Sequence, residues 1–472
     1  MNQMFPHSSP EAGTPAQPAS LMLLIICGAQ FLVVIDAVVL MVAGPALAQA
    51  FGATERDLQW VFNAYALAFG GLLLLAGRAG DRLGHRGAFA AGAVVFALAS
   101  LIGGLSVSMP MLIAARALQG AGAALLAANS LALLTLYYPS GPARLRALGL
   151  FASSATVGVA SGTLLGGLLT STFGWSSALL INVPIGLAMA WATRRVTGET
   201  SDGQAPAAPM DWAGAFTATL GFGALTLAIA QTSHPTPLTL VLWVAAALLL
   251  VLFVFIERRS VAPLLDLAVL RNRPVAVANA LIFIHSAGPL TSLFFGSLYF
   301  QQLRGLDALE TGLLFLPFAL ASIVGARAAP VAMGYMPPRG IAALGFALMS
   351  LSAFALSFLP VAAGEPYLLL TIAAFVAGGF GSSFSFVSLT EAATASARNG
   401  EAGMISGLTN TSLQMGGASI LALLISVTAT VPAAAAAHAT TFTAAAVILL
   451  FGAIAGFFLF SAPSRQAASA RQ

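Results

Sequence analysis

About fourteen long apolar runs separated by short polar joints leave this chain one kind of architecture. They lie at 21–43, 58–76, 87–106, 110–136, 147–170, 175–193, 212–230, 237–256, 275–300, 309–329, 340–360, 366–388, 403–430 and 440–461. Crossing a hydrocarbon core about 30 Å thick takes roughly 20 apolar residues, so each run reads as a span. Inside lipid every backbone amide needs a partner within the chain, which makes such spans helices. The predicted fold class is an all-α membrane protein. Only 7% of the 472 residues are charged, against roughly a quarter in soluble domains. The net charge of +4 does not point to nucleic acid. The basic residues, all arginine, lie singly and in pairs between apolar runs and form no patch. The single cysteine, Cys27, lies within an apolar run, where it reads as a buried, inert thiol.

Arginine placement predicts the orientation, because short loops rich in basic residues stay in the cytoplasm. With the amino terminus inside, the cytoplasmic segments hold Arg78, Arg82, Arg86, Arg144, Arg146, Arg194, Arg195, Arg258, Arg259, Arg271, Arg273, Arg327, Arg339, Arg398, Arg465 and Arg471. The outer loops hold only Arg56 and Arg304. Residues 1–20 are polar, lack any Lys or Arg and read as a disordered cytoplasmic tail, not a signal peptide. The longest polar interruptions, 194–211 and 257–274, set two helices apart between two groups of six. The expected domains are a six-helix bundle over 21–195, central loops and a two-helix hairpin over 196–273, a second six-helix bundle over 274–461, and a cytoplasmic tail over 462–472.

Several motifs fall in order along these helices. The joint Gly77-Arg78-Ala79-Gly80-Asp81-Arg82-Leu83-Gly84-His85-Arg86 reads as a ten-residue loop, with Gly77, Gly80 and Gly84 supplying backbone freedom. Helix 1 carries Ile35-Asp36-Ala37-Val38-Val39, helix 4 Arg116-Ala117-Leu118-Gln119-Gly120-Ala121-Gly122, and helix 5 Gly158, Gly162, Gly166 and Gly167. Helix 6 carries Leu180-Ile181-Asn182-Val183-Pro184-Ile185-Gly186, and Tyr299 to Gly305 closes helix 9. Together they resemble the motifs of the major facilitator superfamily, and of its fourteen-helix drug:proton antiporters in particular. Thr163 stands at that family's usual helix 5 proline, and Val38 and Met41 replace its usual Thr and Asn, making that face of the cavity less polar.

The resemblance implies two six-helix bundles plus an inserted hairpin, rocking about a central site to exchange protons for a drug. It also implies conformational gating by Gly77, Asp81, Arg82, Gly84 and Arg86 of the loop and by Gly158, Gly162, Gly166 and Gly167 of helix 5. Asp81 is expected to contact the facing half, near a helix terminus. In the second half the matching loop, 327–340, keeps Gly334, Pro337, Pro338 and Arg339 but has no acid.

Three ionisable residues are placed inside the membrane: Asp36, Arg116 and His285. A charge at a helix centre costs about 2.5–3.5 kcal/mol on insertion scales, so each requires a reason. Asp36 lies about 15 residues from the inner end of its span, roughly 22 Å, and Arg116 about 6 residues from the outer end, roughly 9 Å. These depths coincide, so the two can meet as a static pair fixing helix packing or as a proton switch, with Asp36 carrying the proton. His285 precedes Gly288-Pro289, and an interrupted helix near the midplane points to a binding site. The alternative is an imidazole satisfied by a carbonyl that Pro289 frees. Asn63, Tyr65, Gln119, Phe294, Phe380, Phe384, Asn410 and Gln414 can line a cavity for bulky amphipathic cargo. The polar ones serve equally well as glue between helices.

No Walker-type phosphate loop and no cluster with metal-ligand spacing is present, so neither a cofactor nor a metal is expected and the proton gradient is the energy source. The expected partners are a small-molecule substrate, protons and the lipid bilayer. A monomer is expected, with a periplasmic adaptor protein left open. The rivals are a dedicated exporter of one antibiotic or metabolite and, more remotely, a receptor or scaffold, for which no loop is long enough.

Overall fold

A computed structural model describes residues 17–53, 55–138, 141–196, 211–231, 236–260, 263, 265, 267–306, 308–360, 367–395, 402–429, 431 and 434–459. Fourteen helical spans run through them: α1 (Gln17–Phe51), α2 (Glu55–Leu83), α3 (His85–Gly104), α4 (Met109–Tyr137), α5 (Gly141–Phe173), α6 (Ser177–Leu180 and Asn182–Arg195), α7 (Trp212–Ala230), α8 (Pro237–Glu257), α9 (Arg273–His285 continuing to Tyr299–Leu303), α10 (Ala308–Ala332), α11 (Pro338–Leu356), α12 (Leu368–Ala395), α13 (Ala402–Ala429) and α14 (Ala434–Leu459). Eleven are long and apolar enough to cross a membrane. The other three, α5, α6 and α7, run beside them. A β-carbon on Gly158, Gly162 or Gly166 of α5 would press on Val34, Val38 or Val42 of α1, so α5 follows α1 over more than two turns.

The helices divide into two bundles and a hairpin. In the first bundle α4 packs on α2 and α3, α1 on α5, and α3 on α6. In the second, α12 packs on α10 and α11, α9 on α13, and α11 on α14. Adding eight to each label of the first set gives the second. The correspondence reaches individual atoms. A β-carbon on Gly122 would lie 2.6 Å from the Phe96 nitrogen and 3.0 Å from the Gly92 oxygen; on Gly381 it would lie 2.8 Å from the Met349 nitrogen and 2.5 Å from the Gly345 oxygen. The hairpin α7–α8 rests on α2 and α13, joined by the Thr219 hydroxyl donating to the Gly71 carbonyl at 3.0 Å. The outward side of α8 (Leu240, Val244, Leu248, Val251) is exposed and apolar, as a lipid-facing surface must be.

Four sequence expectations change. The ten-residue loop is helix through Leu83 and resumes at His85; Gly84, at φ 85°, makes the reversal by itself. Gly80 is not a flexible joint, because a β-carbon there would collide with Asn129 and His85. α9 is not broken at Pro289. It keeps helical dihedrals through Ser286 and, past the proline, widens into π-turns at Thr291–Phe295 and Tyr299–Leu303. Val38 leans on Gly162 of α5, because two residues along a helix turn it about 200° away from Asp36. The tail over 1–20 lies outside the described residues up to 16, and Gln17–Ser20 begin α1; residues 462–472 and the Thr163 side chain also lie outside them.

Candidate functional site

The two charged residues placed inside the first bundle, Asp36 and Arg116, meet in one buried cluster. Arg116 and Gln119 are three residues apart on α4 and so share a face. Gly120 lets that face approach α2, since a β-carbon there would collide with the Tyr65 carbonyl. The Arg116 guanidinium then lies 4.2 Å from the centre of the Tyr65 ring, a cation–π contact, and donates to Asp36 Oδ2 at 2.7 Å and to Gln119 Oε1 at 2.5 Å. Asp36 Oδ1 accepts from Gln119 Nε2 at 2.7 Å and from Asn182 Nδ2 at 2.6 Å. Gln119 Nε2 also donates to Ser100 Oγ at 2.8 Å. Asp36, Arg116, Gln119, Ser100 and Asn182 are all at most 1% exposed. Four helices besides α1 thus contribute to the setting of one carboxylate.

Two members have no role predictable from the sequence. Asn182 stands there only as one letter of a motif, although an amide in the outer part of an apolar helix is itself a signal. Ser100 carries no such signal, being one small hydroxyl in an alanine-rich run. His285 is not part of this cluster. It sits in the second bundle, where its Nδ1 meets Ser385 Oγ at 2.9 Å beside Phe346 and Phe386. Its partner is thus a hydroxyl of α12 and not a carbonyl freed by Pro289.

The remaining cavity candidates divide. Phe380 and Phe384 of α12 belong to the apolar cluster of the first bundle, so they stand between the halves. Asn410 donates to the Ala127 carbonyl at 3.3 Å and to its own helix at Ser406, and Asn63 and Gln414 are half-buried. Phe294 packs edge-on against Phe295 inside the second bundle. A cleft of about 300 Å³ between α10 and α12, lined by Glu310, Leu314, Pro317, Tyr367 and Ile372, shares no residue with the cluster.

A second polar set joins the halves at the end bearing the α2–α3 turn. Asp81 Oδ2 accepts from the Met404 amide at 3.1 Å, at the start of α13. Its other oxygen lies 3.3 Å from His85 Nε2, whose Nδ1 meets Asn129 of α4 at 2.9 Å. Arg82 occupies the last turn of α2, next to Asp81, and Arg86 donates to the Val196 carbonyl at the end of α6. Across the opposite seam Arg144 of α5 pairs with Glu391 of α12 at 2.8 Å and bonds Thr394. Ser153 donates to the Ser322 carbonyl at 3.3 Å and Ser406 to the Ala128 carbonyl at 2.5 Å. Gly167 of α5 has no neighbour where a β-carbon would stand, unlike Gly158, Gly162 and Gly166.

A family model described as the Major Facilitator Superfamily matches residues 26–421. The chain belongs to the major facilitator superfamily. This major facilitator protein is 38% identical to the cephamycin export protein of Amycolatopsis lactamdurans, over 87% of this chain and 85% of that one. It is 34% identical to the puromycin resistance protein of Streptomyces alboniger, over 90% and 85%. The tetracenomycin C resistance and export protein of Streptomyces glaucescens shares 30% identity over 87% and 76%. Among solved structures, the human organic anion transporter superposes with a TM-score of 0.63 at 17% identity, covering 94% of this chain and all of that one, which bears on the fold alone. The molecule is a multi-pass membrane protein of a small-molecule transporter family.

Proposed function

We propose that this protein is a secondary active exporter. It carries hydrophobic or amphipathic antibiotics outward in exchange for protons and catalyses no chemical step. The observation that carries the reading is the buried Asp36–Arg116 pair at 2.7 Å, a carboxylate held inside a membrane bundle by three donors. Such groups are retained in membranes where ions or protons move. One proton crossing roughly 150 mV supplies about 3.4 kcal/mol, which sustains a substrate gradient of a few hundredfold. The names of the relatives, which concern export of or resistance to cephamycin, puromycin and tetracenomycin C, support the cargo class.

In this reading the protein lies in the cell membrane with both termini cytoplasmic, as arginine placement suggests. The seams at Asp81–Met404 and Arg144–Glu391 then close the cytoplasmic side, and the molecule faces outward. Asn63, Tyr65, Asn410, Gln414, Phe380 and Phe384 would line the path between the halves. A dedicated exporter of one antibiotic is the second reading, favoured by the similarity to the cephamycin export protein.

The test is uptake into inverted proteoliposomes under an imposed pH difference, with a cephamycin, puromycin, tetracenomycin C and ethidium as probes. Wild type should accumulate at least one probe, and an ionophore should abolish the accumulation. Asp36→Asn should insert normally and lose uphill transport; full coupling in that variant sinks the proton-carrier assignment. Transport of several probes speaks for a broad exporter, of one alone for a dedicated one.

A further inference from the structure

The cluster around Asp36 holds two amides, and they are not equivalent. Gln119 is tied at both ends: its oxygen accepts from Arg116 at 2.5 Å, and its nitrogen donates to Asp36 at 2.7 Å and to Ser100 at 2.8 Å. Turning it over would set its amide N–H groups against the Arg116 guanidinium, which can only donate, and that bond would be lost. Asn182 is tied at one end only. Its nitrogen donates to Asp36 Oδ1 at 2.6 Å, whereas its oxygen is buried with no hydrogen-bond partner in a residue that is 0% exposed. Leaving a buried amide oxygen unsatisfied costs about 1–3 kcal/mol, so the arrangement calls for a second state in which that oxygen is used.

Protonation of Asp36 supplies that state. A carboxylate can only accept, but a protonated carboxyl also presents one O–H donor. A hydronium ion gives its proton to Asp36 Oδ1 and leaves as water, one O–H bond breaking as the carboxyl O–H forms. The N–H of Asn182 then faces a donor and must give way, and rotation about χ2 brings the idle oxygen to the new O–H. The rotation turns the side chain alone, on a backbone that stays helical through Ile181. The titratable and charged groups around Asp36 are Arg116 of α4 and Tyr65 of α2. Ser100 of α3 is hydroxylic, and α5 presents Gly158, Gly162 and Gly166 toward α1. The Tyr65 hydroxyl is also buried without a partner, but Tyr65 meets the cluster through its ring face beneath Arg116.

We infer that Asn182 is the positioning residue that reads the protonation state of Asp36, donating to the carboxylate and turning over to accept from the acid. This rests on Asp36 being the proton carrier. It also gives α6 two arrangements of one side chain, tied to whether the proton is aboard.

The test is infrared difference spectroscopy of the full chain in proteoliposomes, titrated with acid and with asparagine side chains labelled with carbon-13, so no substrate is needed. In wild type a protonated-carboxyl band should grow on acidification, and one labelled asparagine band should shift with the same midpoint. Asn182→Leu should lose the asparagine shift. Asn182→Ser, whose hydroxyl both donates and accepts, should lose it too while keeping a hydrogen-bonded carboxyl band, and it serves should the leucine variant fail to fold. If no asparagine band moves with the carboxyl, or the shift survives either substitution, Asn182 is a static donor and the inference is overturned. If the carboxyl band persists in Asp36→Asn, the proton-carrier reading itself fails and takes this inference with it.

Discussion

The two bundles repeat one backbone design and fill it with opposite chemistry. On α4, Gly120 and Gly122 seat the helix against Tyr65 of α2 and Phe96 of α3; on α12, Gly379 and Gly381 seat it against Phe318 of α10 and Met349 of α11. In that register Arg116 corresponds to Phe375, Gln119 to Gly378 and Tyr65 to Phe318. The cation–π contact of the first half, 4.2 Å, becomes an edge-to-face ring pair in the second, with centroids 6.2 Å apart. Phe300 and Phe315 complete a dry aromatic cluster around Phe375. The glycine seats therefore belong to the scaffold, while the buried charge belongs to one half only. In the proposed reading a proton carried by Asp36 would sit in one bundle alone.

The largest expected effect comes from abolishing the difference. Arg116→Leu leaves Asp36 buried without its cation, which should cost about 3–5 kcal/mol. Removing both charges together, in Asp36→Asn with Arg116→Leu, should cost clearly less, because no uncompensated ion remains. The matching change in the dry half, Phe375→Leu, keeps apolar contact and should cost under about 1.5 kcal/mol. Thermal unfolding of the four proteins in one detergent decides this. A double variant as unstable as Arg116→Leu alone would show that the stability of this region does not depend on pairing the two charges.

Next in size is a test of what the halves share. Gly120→Ala and Gly379→Ala each push a methyl into a carbonyl of the neighbouring helix, and each also meets an alanine β-carbon and an amide nitrogen at 3.0 Å. Overpacking of this kind typically costs about 1–3 kcal/mol. The two variants should lose similar stability, yet differ in function. Gly120→Ala displaces Arg116 and Gln119 and should impair uphill transport in proportion, whereas Gly379→Ala should leave coupling largely intact. Equal losses of coupling would mean that the charged cluster is not what sets it.

Much of the first bundle is legible in the sequence because its features are chemically loud. A lone Asp36 and Arg116 in apolar runs, at depths that helical rise makes equal, point to each other without any structure. The internal repeat is not legible, since it rests on where glycines let backbones touch and not on shared letters. Ser100 stays silent and Asn182 gives only a faint sign, because a single hydroxyl or amide in a span is ambiguous until its neighbours are known. The Gly77–Arg86 joint reads as a loop because its glycines and charges are turn-formers by composition. In the fold α2 carries them as an extra helical stretch beyond the apolar run, and one positive-φ glycine suffices for the turn. Glu391 escapes sequence reasoning for a related cause: α12 continues to Ala395, past the end of its apolar run, and delivers the acid to Arg144.

The smallest effect separates the two turns that correspond across the bundles. The turn between α2 and α3 carries Asp81 against the Met404 amide, and the one between α10 and α11, around Gly334–Pro337, has no acid. Asparagine at position 81 can still accept from that amide, so Asp81→Asn keeps the hydrogen bond and removes the negative charge facing the start of α13, together with its pairing to Arg78 and His85 within its own turn. With the Asp81 side chain only 4% exposed, the attraction of that charge to the helix start is worth about 1–2 kcal/mol, a shift of roughly five- to thirtyfold in a two-state balance. Spin labels at Leu83 and Tyr335, both exposed and on opposite halves, would report it as a distance distribution. The population with these ends apart should grow by that factor in the variant. An acid introduced as Gly334→Asp should leave it unchanged, since a β-carbon there would approach only the Val331 carbonyl of its own turn and no helix start of the facing half. A population that does not move in Asp81→Asn would assign closure of this end to the Arg144–Glu391 pair and the hydroxyl contacts of Ser153 and Ser406, leaving the acid of the turn as a local tie to His85.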